Sequence, residues 1–133
     1  MKILIAEDDL VCQKVLLRFL EDLGEIQVAD DGAQAWELYT KAYEGNKPFE
    51  LICLDIMMPH SSGKEVLAKI RAHELSVDAA QRAKILMTTA LSDTETIVAS
   101  FQSGCEAYIT KPIERAHLLE ELGRLGIVMP VKH

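Results

Sequence analysis

Carboxylate, hydroxyl and ammonium side chains occur at four points of this sequence, each at the end of a short apolar run. Glu7-Asp8-Asp9 follows the first run, Asp55 ends the third, Thr88-Thr89 ends the fourth, and Lys111 follows the fifth. Together these groups could attack, hydrogen-bond and neutralise a phosphoryl group. An acidic residue after a strand is often only a helix cap, so the chemistry depends on a fold that brings all four points together.

The apolar runs alternate with segments in which apolar residues lie three and four positions apart. Several runs are apolar at successive positions, which is typical of strands buried on both faces, and the segments between them are typical of helices. Five such units predict an α/β domain with a doubly wound parallel sheet and helices on both faces. The predicted strands cover residues 3–6, 26–29, 51–54, 85–87 and 107–109.

Ligands of open parallel sheets bind beyond the carboxyl ends of the strands, so these side chains are expected at one edge. Glu7, Asp8 and Asp55 would then carry three negative charges against one positive charge on Lys111. Neighbouring carboxylates raise one another's pKa unless a cation intervenes, and an all-oxygen set favours Mg²⁺ over Zn²⁺. We therefore predict a Mg²⁺-dependent phosphoryl-transfer site, with Asp9 as the N-cap of the first helix.

The bulk composition narrows the classes of partner. A chain of 133 residues suits one hydrophobic core, and its net charge of −7 argues against nonspecific contact with nucleic-acid phosphates. No apolar run is long enough to cross a bilayer. The three cysteines, Cys12, Cys53 and Cys105, are widely separated, which favours reduced thiols. We expect a cytoplasmic domain that binds neither nucleic acid nor membrane directly.

Four motifs resemble, in order and spacing, those of response regulator receiver domains of two-component signalling, and in particular chemotaxis-regulator-like ones. They are Ile5–Asp9, Leu54–Pro59, Thr88–Ala90 and Tyr108–Pro112. The resemblance covers about residues 2–126 and implies the flavodoxin-like (βα)5 fold with strand order 2-1-3-4-5. We expect a receiver domain at 1–126, followed by a C-terminal tail or truncated linker at 127–133.

The resemblance also implies roles for the acidic residues. Asp55 would be the phosphoacceptor, with Glu7 and Asp8 as the acidic pair and Asp8 as the direct Mg²⁺ ligand of the two. The main-chain carbonyl of Met57 would complete the protein's share of the coordination, and Lys111 would bind the phosphoryl oxygens. Such a chain is not an enzyme in the usual sense but a phosphoacceptor that assists its own phosphorylation and dephosphorylation.

A second group of implied roles concerns the conformational switch. Thr89 would be the switch hydroxyl and Tyr108 the aromatic side chain that follows it, whereas Thr88 would face away into the packing. The readout surface would comprise the fourth helix, fifth strand and fifth helix, near residues 93–122. Pro112 is expected to follow a cis peptide bond, which is readily accessible before proline.

The loop after Asp55 departs from common versions of the motif. Ser62 stands where an acidic or amide residue is frequent, which we expect to alter helix capping rather than chemistry. We interpret His60 as inert rather than as a phosphohistidine. Met57 and Leu91 are both apolar at positions that, by resemblance, flank the path of the hydrolytic water. We therefore predict that this chain holds its phosphoryl group longer than receivers with acidic or amide residues at both positions.

The implied partners are a sensor histidine kinase or phosphotransfer protein as donor and a downstream target protein. The last two helices show no evident set of paired Arg and Asp side chains, so we expect a monomer or weak dimer. Two alternatives stay open at this point: the receiver half of a longer regulator with an output domain, and a degenerate, non-phosphorylated binding module. A haloacid-dehalogenase-type phosphatase is disfavoured, because Met57 stands where those enzymes carry an acid/base Asp.

Overall fold

A computed structural model describes residues 1–58, 62–76, 82–90 and 94–128. The expectations for His60 and Leu91 lie outside the described residues, as does most of the proposed tail. Strands and helices alternate along the chain: β1 (Lys2–Ala6), α1 (Leu10–Leu20), β2 (Glu25–Ala29), α2 (Gly32–Glu44), β3 (Leu51–Asp55), α3 (Gly63–Glu74), β4 (Lys84–Thr89), α4 (Thr94–Gln102), β5 (Ala107–Thr110) and α5 (Arg115–Arg124).

The five strands form one parallel sheet in the order β2-β1-β3-β4-β5. The chain enters the sheet at β1, adds β2 on one side, and then crosses back to build β3, β4 and β5 on the other. This reversal creates a switch point between β1 and β3, where the carboxyl ends of neighbouring strands diverge. The predicted α/β class, the flavodoxin-like topology and the strand order are confirmed.

The sheet separates two apolar cores, because successive residues of a strand point to opposite faces. On one side, which we call the α1/α5 face, strand residues such as Ile3 and Ile5 pack with Leu16 of α1 and Leu118 of α5. On the other, the α2–α4 face, the alternate strand residues pack with side chains from α2 and α3, and with Ile97 of α4. The face to which a strand residue belongs can therefore be read from its neighbours in the same strand.

Three helices begin at residues whose side chains cap them. Asp9 accepts a hydrogen bond from the Val11 amide at 2.9 Å, and Asp31 accepts one from Gln34 at 2.7 Å. Ser62 caps α3 by accepting a hydrogen bond from the Glu65 amide at 3.3 Å, so the serine serves as the helix cap in place of the more frequent acidic or amide residue. The predicted cap at Asp9 is confirmed, which separates this residue from its acidic neighbours. Within the described ranges, no helix is long and apolar enough to span a membrane.

At the amino-terminal edge of the sheet, Arg71 connects three parts of the chain. Its guanidinium donates to the carbonyl oxygens of Ala83 and Gly104, at 3.0 and 2.9 Å, and forms ion pairs with Glu74 and Glu106. Glu74 is buried and also accepts from the Ala83 amide. The network therefore links α3 to the start of β4 and to the turn between α4 and β5.

Candidate functional site

Three acidic side chains meet at the carboxyl edge of the sheet. Ala6 and Leu54 are register partners in β1 and β3, so the residues that follow them, Glu7 and Asp55, emerge side by side. Carboxylate oxygens of Glu7, Asp8 and Asp55 all lie within 4.8 Å of one another. Glu7 is fully buried and Asp55 is 2% exposed, whereas Asp8 is exposed. Two members of the cluster are therefore buried in the core, and the third, Asp8, is in contact with solvent.

Lys111 reaches this cluster from the far edge of the sheet. Its Nζ contacts a carboxylate oxygen of Glu7 and lies 3.2 Å from Oδ2 of Asp55. Because β4 lies between β3 and β5, the Lys111 side chain must cross β4 to make these contacts. The backbone of Lys111 is fixed to β4 by a 2.7 Å hydrogen bond to the Thr89 carbonyl, and its peptide bond to Pro112 is cis.

The charges of the site are not balanced by the protein alone. Burial raises the pKa of Asp55 to about 7, and the hydrogen bond and charge of Glu7 act in the same direction, against the ammonium of Lys111. For Lys111, burial would lower the pKa, but the hydrogen bond to Glu7 and the charges of Asp55 and Glu7 raise it overall. In the absence of a cation, Asp55 is therefore partly protonated near neutral pH.

The backbone around Asp55 is held by close packing. The Met57 amide donates to Oδ1 of Asp55 at 3.1 Å, which orients the carboxylate. Gly63, the first residue of α3, donates to the Ile56 carbonyl at 3.0 Å. A Cβ atom on Gly63 would lie 2.1 Å from the carbonyl oxygen of Asp55. Only glycine lets α3 start so close to the acidic cluster.

Gln13 is a site residue that the sequence analysis missed. Its amide donates to the carbonyl oxygen of Glu7, and to Asp30 Oδ1 at 2.8 Å, while the side chain is buried. It thus fixes α1 to the end of β1, where the acidic pair begins. A signal was present: Gln13 is a polar residue three and seven positions before Leu16 and Leu20, in the stripe of α1 that faces the core.

The two threonines at the end of β4 belong to opposite faces of the sheet. Thr89 alternates with Ile85 and Met87 and lies on the α2–α4 face, the face to which Tyr108 also belongs. Thr88 is buried as expected, but it alternates with Leu86 and lies on the α1/α5 face. That is also the strand face to which Asp55 belongs.

The donor set at the carboxyl edge suits a hard divalent cation. The three clustered groups are all carboxylates, and within the described part of the chain no cysteine or histidine joins them. Oxygen-only sites with an exposed side are typical of Mg²⁺, which keeps several waters, and not of Zn²⁺. The residues present therefore fit Mg²⁺.

Comparison with known proteins assigns the family. Residues 3–123, nearly the whole chain, match the response regulator receiver domain. The chain belongs to this family. Regulatory protein VanRB of Enterococcus faecalis is 34% identical over 123 residues, which are 92% of this chain and 50% of that protein. This receiver domain spans about half the length of the curated relatives it matches.

Solved receiver domains share the fold. A CheY-like receiver domain from Methanospirillum hungatei is 31% identical, with a TM-score of 0.73, and the match covers 93% of this chain and 91% of that one. The Borrelia burgdorferi CheX-CheY-BeF3-Mg complex contains a chain with a TM-score of 0.83 at 24% identity, covering 96% and 90% of the two chains. The latter likeness supports the fold alone. The receiver domain is a signalling domain of two-component response regulators.

Proposed function

We propose that this receiver domain accepts a phosphoryl group on Asp55 from a sensor histidine kinase or a phosphotransfer protein, with Mg²⁺ as cofactor. The observation that carries the proposal is the meeting of Glu7, Asp8 and Asp55 oxygens within 4.8 Å, with Lys111 in contact with two of them. Neither a helix cap nor an ordinary ion pair requires three carboxylates around one ammonium. The excess negative charge matches a site for a cation and a phosphoryl group.

The chemistry is an in-line substitution at phosphorus. An ionised Asp55 oxygen forms the new O–P bond while the N–P bond of the phosphohistidine breaks, and the departing imidazole takes a proton from solvent. Lys111 would balance charge on the phosphoryl oxygens, and Thr89 would donate its hydroxyl to one of them. Glu7, Asp8, Asp55 and the Met57 carbonyl would hold Mg²⁺, which when bound neutralises charge on the carboxylates and the phosphoryl group. Asp55 must lose its proton for this reaction, and the bound cation favours that loss.

The phosphorylated state would be read at α4, β5 and α5. The phosphoryl group draws Thr89 toward Asp55, and Tyr108 turns into the space that Thr89 leaves. The support for this switch is that both side chains are buried on the α2–α4 face of adjacent strands. The phosphoryl group shifts the population toward the active form because it interacts more strongly with that form. A downstream protein that binds this surface would carry the signal.

The proposal is tested by incubating the domain with acetyl phosphate or phosphoramidate and Mg²⁺, followed by intact mass measurement. We expect wild type to gain one phosphoryl group and Asp55→Asn to gain none. Asp9→Asn is the matched control, because Asp9 is acidic and adjacent to the cluster but caps α1. Labelling that persists in Asp55→Asn, or wild type that stays unlabelled at saturating Mg²⁺, would contradict the proposal, and the second result would favour a non-phosphorylated binding module.

A second candidate is that this domain is the receiver part of a longer regulator with an output domain. It is favoured by the relatives, of which this chain spans about half. In either case we propose a cytoplasmic receiver at residues 1–126, monomeric or weakly dimeric, with no direct nucleic-acid or membrane contact of its own. Reading the gene beyond the codon for residue 133 distinguishes a stop from an output domain.

A further inference from the structure

Thr88 carries a polar atom whose environment the proposed reaction does not explain. The residue is 1% exposed, and among the residues that the structure describes its Oγ1 is the one buried side-chain nitrogen or oxygen without a hydrogen-bond partner. A buried hydroxyl without a partner is unfavourable, since it has lost its contacts with water. Such an atom calls for a partner that is present in another state of the site.

The register of the sheet places Thr88 within the acidic site. Thr88 is the partner of Asp55 in β3 and of Ile109 in β5, and its side chain lies on the α1/α5 face. Glu7 and Lys111 continue the alternation of β1 and β5 on that same face. Lys111 must cross β4 to reach Asp55, and Thr88 is the β4 residue on that face at the level of Asp55. Thr88 is therefore the β4 residue that the lysine side chain passes on its way to Asp55.

The ammonium of Lys111 can use such a hydroxyl. An ammonium has three N–H donors, and the contacts with Glu7 and Asp55 engage two of them. When Glu7 and Asp55 turn their oxygens to a cation and a phosphoryl group, their hold on the ammonium weakens. A donor of the ammonium is then free for another acceptor beside the phosphoryl oxygens, and Thr88 offers one on the near face of the sheet.

We propose that Thr88 is a positioning residue, whose Oγ1 accepts a hydrogen bond from Lys111 Nζ when the acidic cluster holds its cation. This inference rests on the proposed function, because it assigns Thr88 a place in the same site. The proposed hydrogen bond explains why a hydroxyl is buried at position 88. The hydroxyl gains its partner only when the acidic cluster holds a cation.

Two substitutions of Thr88 separate the effect of its hydroxyl from the effect of its side-chain shape. Thr88→Val keeps the β-branched shape and removes the hydroxyl, whereas Thr88→Ser keeps the hydroxyl. At saturating Mg²⁺ we expect Thr88→Val to slow Asp55 phosphorylation by phosphoramidate roughly tenfold, the effect of one hydrogen bond to a charged group. The concentration of phosphoramidate for half-maximal rate should stay unchanged, and Thr88→Ser should recover most of the rate.

Thermal unfolding provides a readout that does not depend on phosphorylation. Without Mg²⁺, Thr88→Val should unfold at a higher temperature than wild type, because it removes an unpaired buried hydroxyl. With Mg²⁺ that advantage should shrink or reverse, because wild type then gains a hydrogen bond that the valine variant lacks. An advantage of equal size with and without Mg²⁺ would overturn the role of Thr88, as would equal phosphorylation rates in wild type and Thr88→Val.

The two proposals fail in different ways. A wild type that takes up no phosphoryl group contradicts the proposed function, and the unfolding comparison with Mg²⁺ alone still decides the Thr88 contact. A wild type that is phosphorylated on Asp55 while Thr88→Val matches it in rate contradicts the Thr88 inference and leaves the proposed function supported.

Discussion

Asp55 occupies an environment that stabilises its protonated form in the absence of a cation. It is buried, hydrogen-bonded to Glu7 and close to the charge of that residue, and these effects raise its pKa to about 7. In the unfolded chain the pKa of this group is near its ordinary value of 3.8. Between these two pH values the folded protein holds a proton that the unfolded chain has lost. This group therefore lowers the free energy of unfolding as pH rises from about 4 to 7.

Asp55→Asn should accordingly stabilise the metal-free protein at pH 8. We expect a gain in the free energy of unfolding of roughly 2 to 4 kcal/mol at that pH, and a much smaller gain near pH 4, where the folded protein holds the proton and the unfolded chain has lost only part of it. Urea denaturation of both proteins at several pH values measures the difference. Mg²⁺ should reduce this difference in the free energy of unfolding. A bound ion would stabilise wild type, whereas the variant lacks one of the carboxylate ligands.

The control for this prediction is Glu37→Gln, which neutralises an exposed carboxylate paired only with exposed Lys41. Its effect on the free energy of unfolding should be small and nearly independent of pH between 5 and 8, within about 0.5 kcal/mol. A gain for Asp55→Asn that is the same at pH 4 and pH 8 would show that Asp55 is not a buried, partly protonated group.

Met57 should influence the lifetime of the phosphorylated state. Its amide donates to the Asp55 carboxylate, but its side chain is 61% exposed and apolar beside the proposed acceptor. We expect Met57→Asn, alone or with Leu91→Glu, to shorten the lifetime of the acyl phosphate severalfold, because a polar side chain there can orient the attacking water. The decay of phosphorylated protein after removal of the donor measures this. Equal or slower decay in the double variant would refute the prediction.

At the scale of elements, the start of α3 is fitted to the backbone of Asp55. Gly63→Ala would set a Cβ atom 2.1 Å from the Asp55 carbonyl oxygen, so either α3 or the end of β3 must move. We expect this variant to lose about 1 to 3 kcal/mol of stability and to be phosphorylated more slowly. Denaturation and the phosphoramidate rate measure the two effects.

Gly123→Ala is the matched control for Gly63. Gly123 also lies in a helix, α5, but its added Cβ atom would meet nothing within 4 Å. There the exchange should stabilise the protein by about 0.5 to 1 kcal/mol, through helix propensity alone, and leave phosphorylation unchanged. If both glycine variants behaved alike, close packing at Gly63 would not be what positions Asp55.

The Arg71 network should contribute to the stability of the fold rather than to phosphorylation. Arg71→Met leaves Glu74 buried without its cation and removes the donor to the Ala83 and Gly104 carbonyls. We expect a loss of about 3 to 5 kcal/mol, the usual effect of breaking a buried ion pair by removing one partner. Arg124→Met, at a side chain that is 67% exposed, should change stability by less than about 1 kcal/mol. Equal effects of the two variants would contradict the importance of this network.

At the scale of the whole molecule, the two edges of the sheet carry different groups of polar residues. The acidic cluster, Lys111 and the threonines lie at the carboxyl edge, where they reach solvent through Asp8. Arg71 and its partners lie at the amino edge, where they fix α3 to β4 and to the turn before β5. Substitutions at the amino edge should therefore change unfolding more than phosphorylation.

Periodicity and topology made the fold and most of the acidic site predictable. Apolar runs and helical spacing locate each strand and helix, and the strand-end rule brings Glu7, Asp55 and Lys111 to one edge, because parallel strands share a carboxyl side. The cap at Asp9 is predictable too, since capping depends on neighbours two and three residues away. These features depend on local sequence or on the order of the elements.

Contacts between side chains distant in sequence were not predictable in the same way. Gln13 joins Glu7 and Asp30, and Arg71 joins residues up to 35 positions away, because helix packing happens to bring them within reach. The position of Thr88 opposite Asp55 depends on the register between β3 and β4, and a shift of one residue would give it another neighbour. Registers and such pairings are set by the packed core as a whole, and no local pattern encodes them.

Phosphorylation of Asp55 can be tested by locating the phosphoryl group chemically in the unaltered protein. After reaction with phosphoramidate and Mg²⁺, borohydride reduces an acyl phosphate to an alcohol, which converts a phosphorylated aspartate to homoserine and releases phosphate. Peptide mass spectrometry then reads the position. We expect homoserine at position 55 and aspartate at positions 8 and 9. Homoserine at another position, or a phosphoryl group on a histidine or serine with position 55 unchanged, would contradict it.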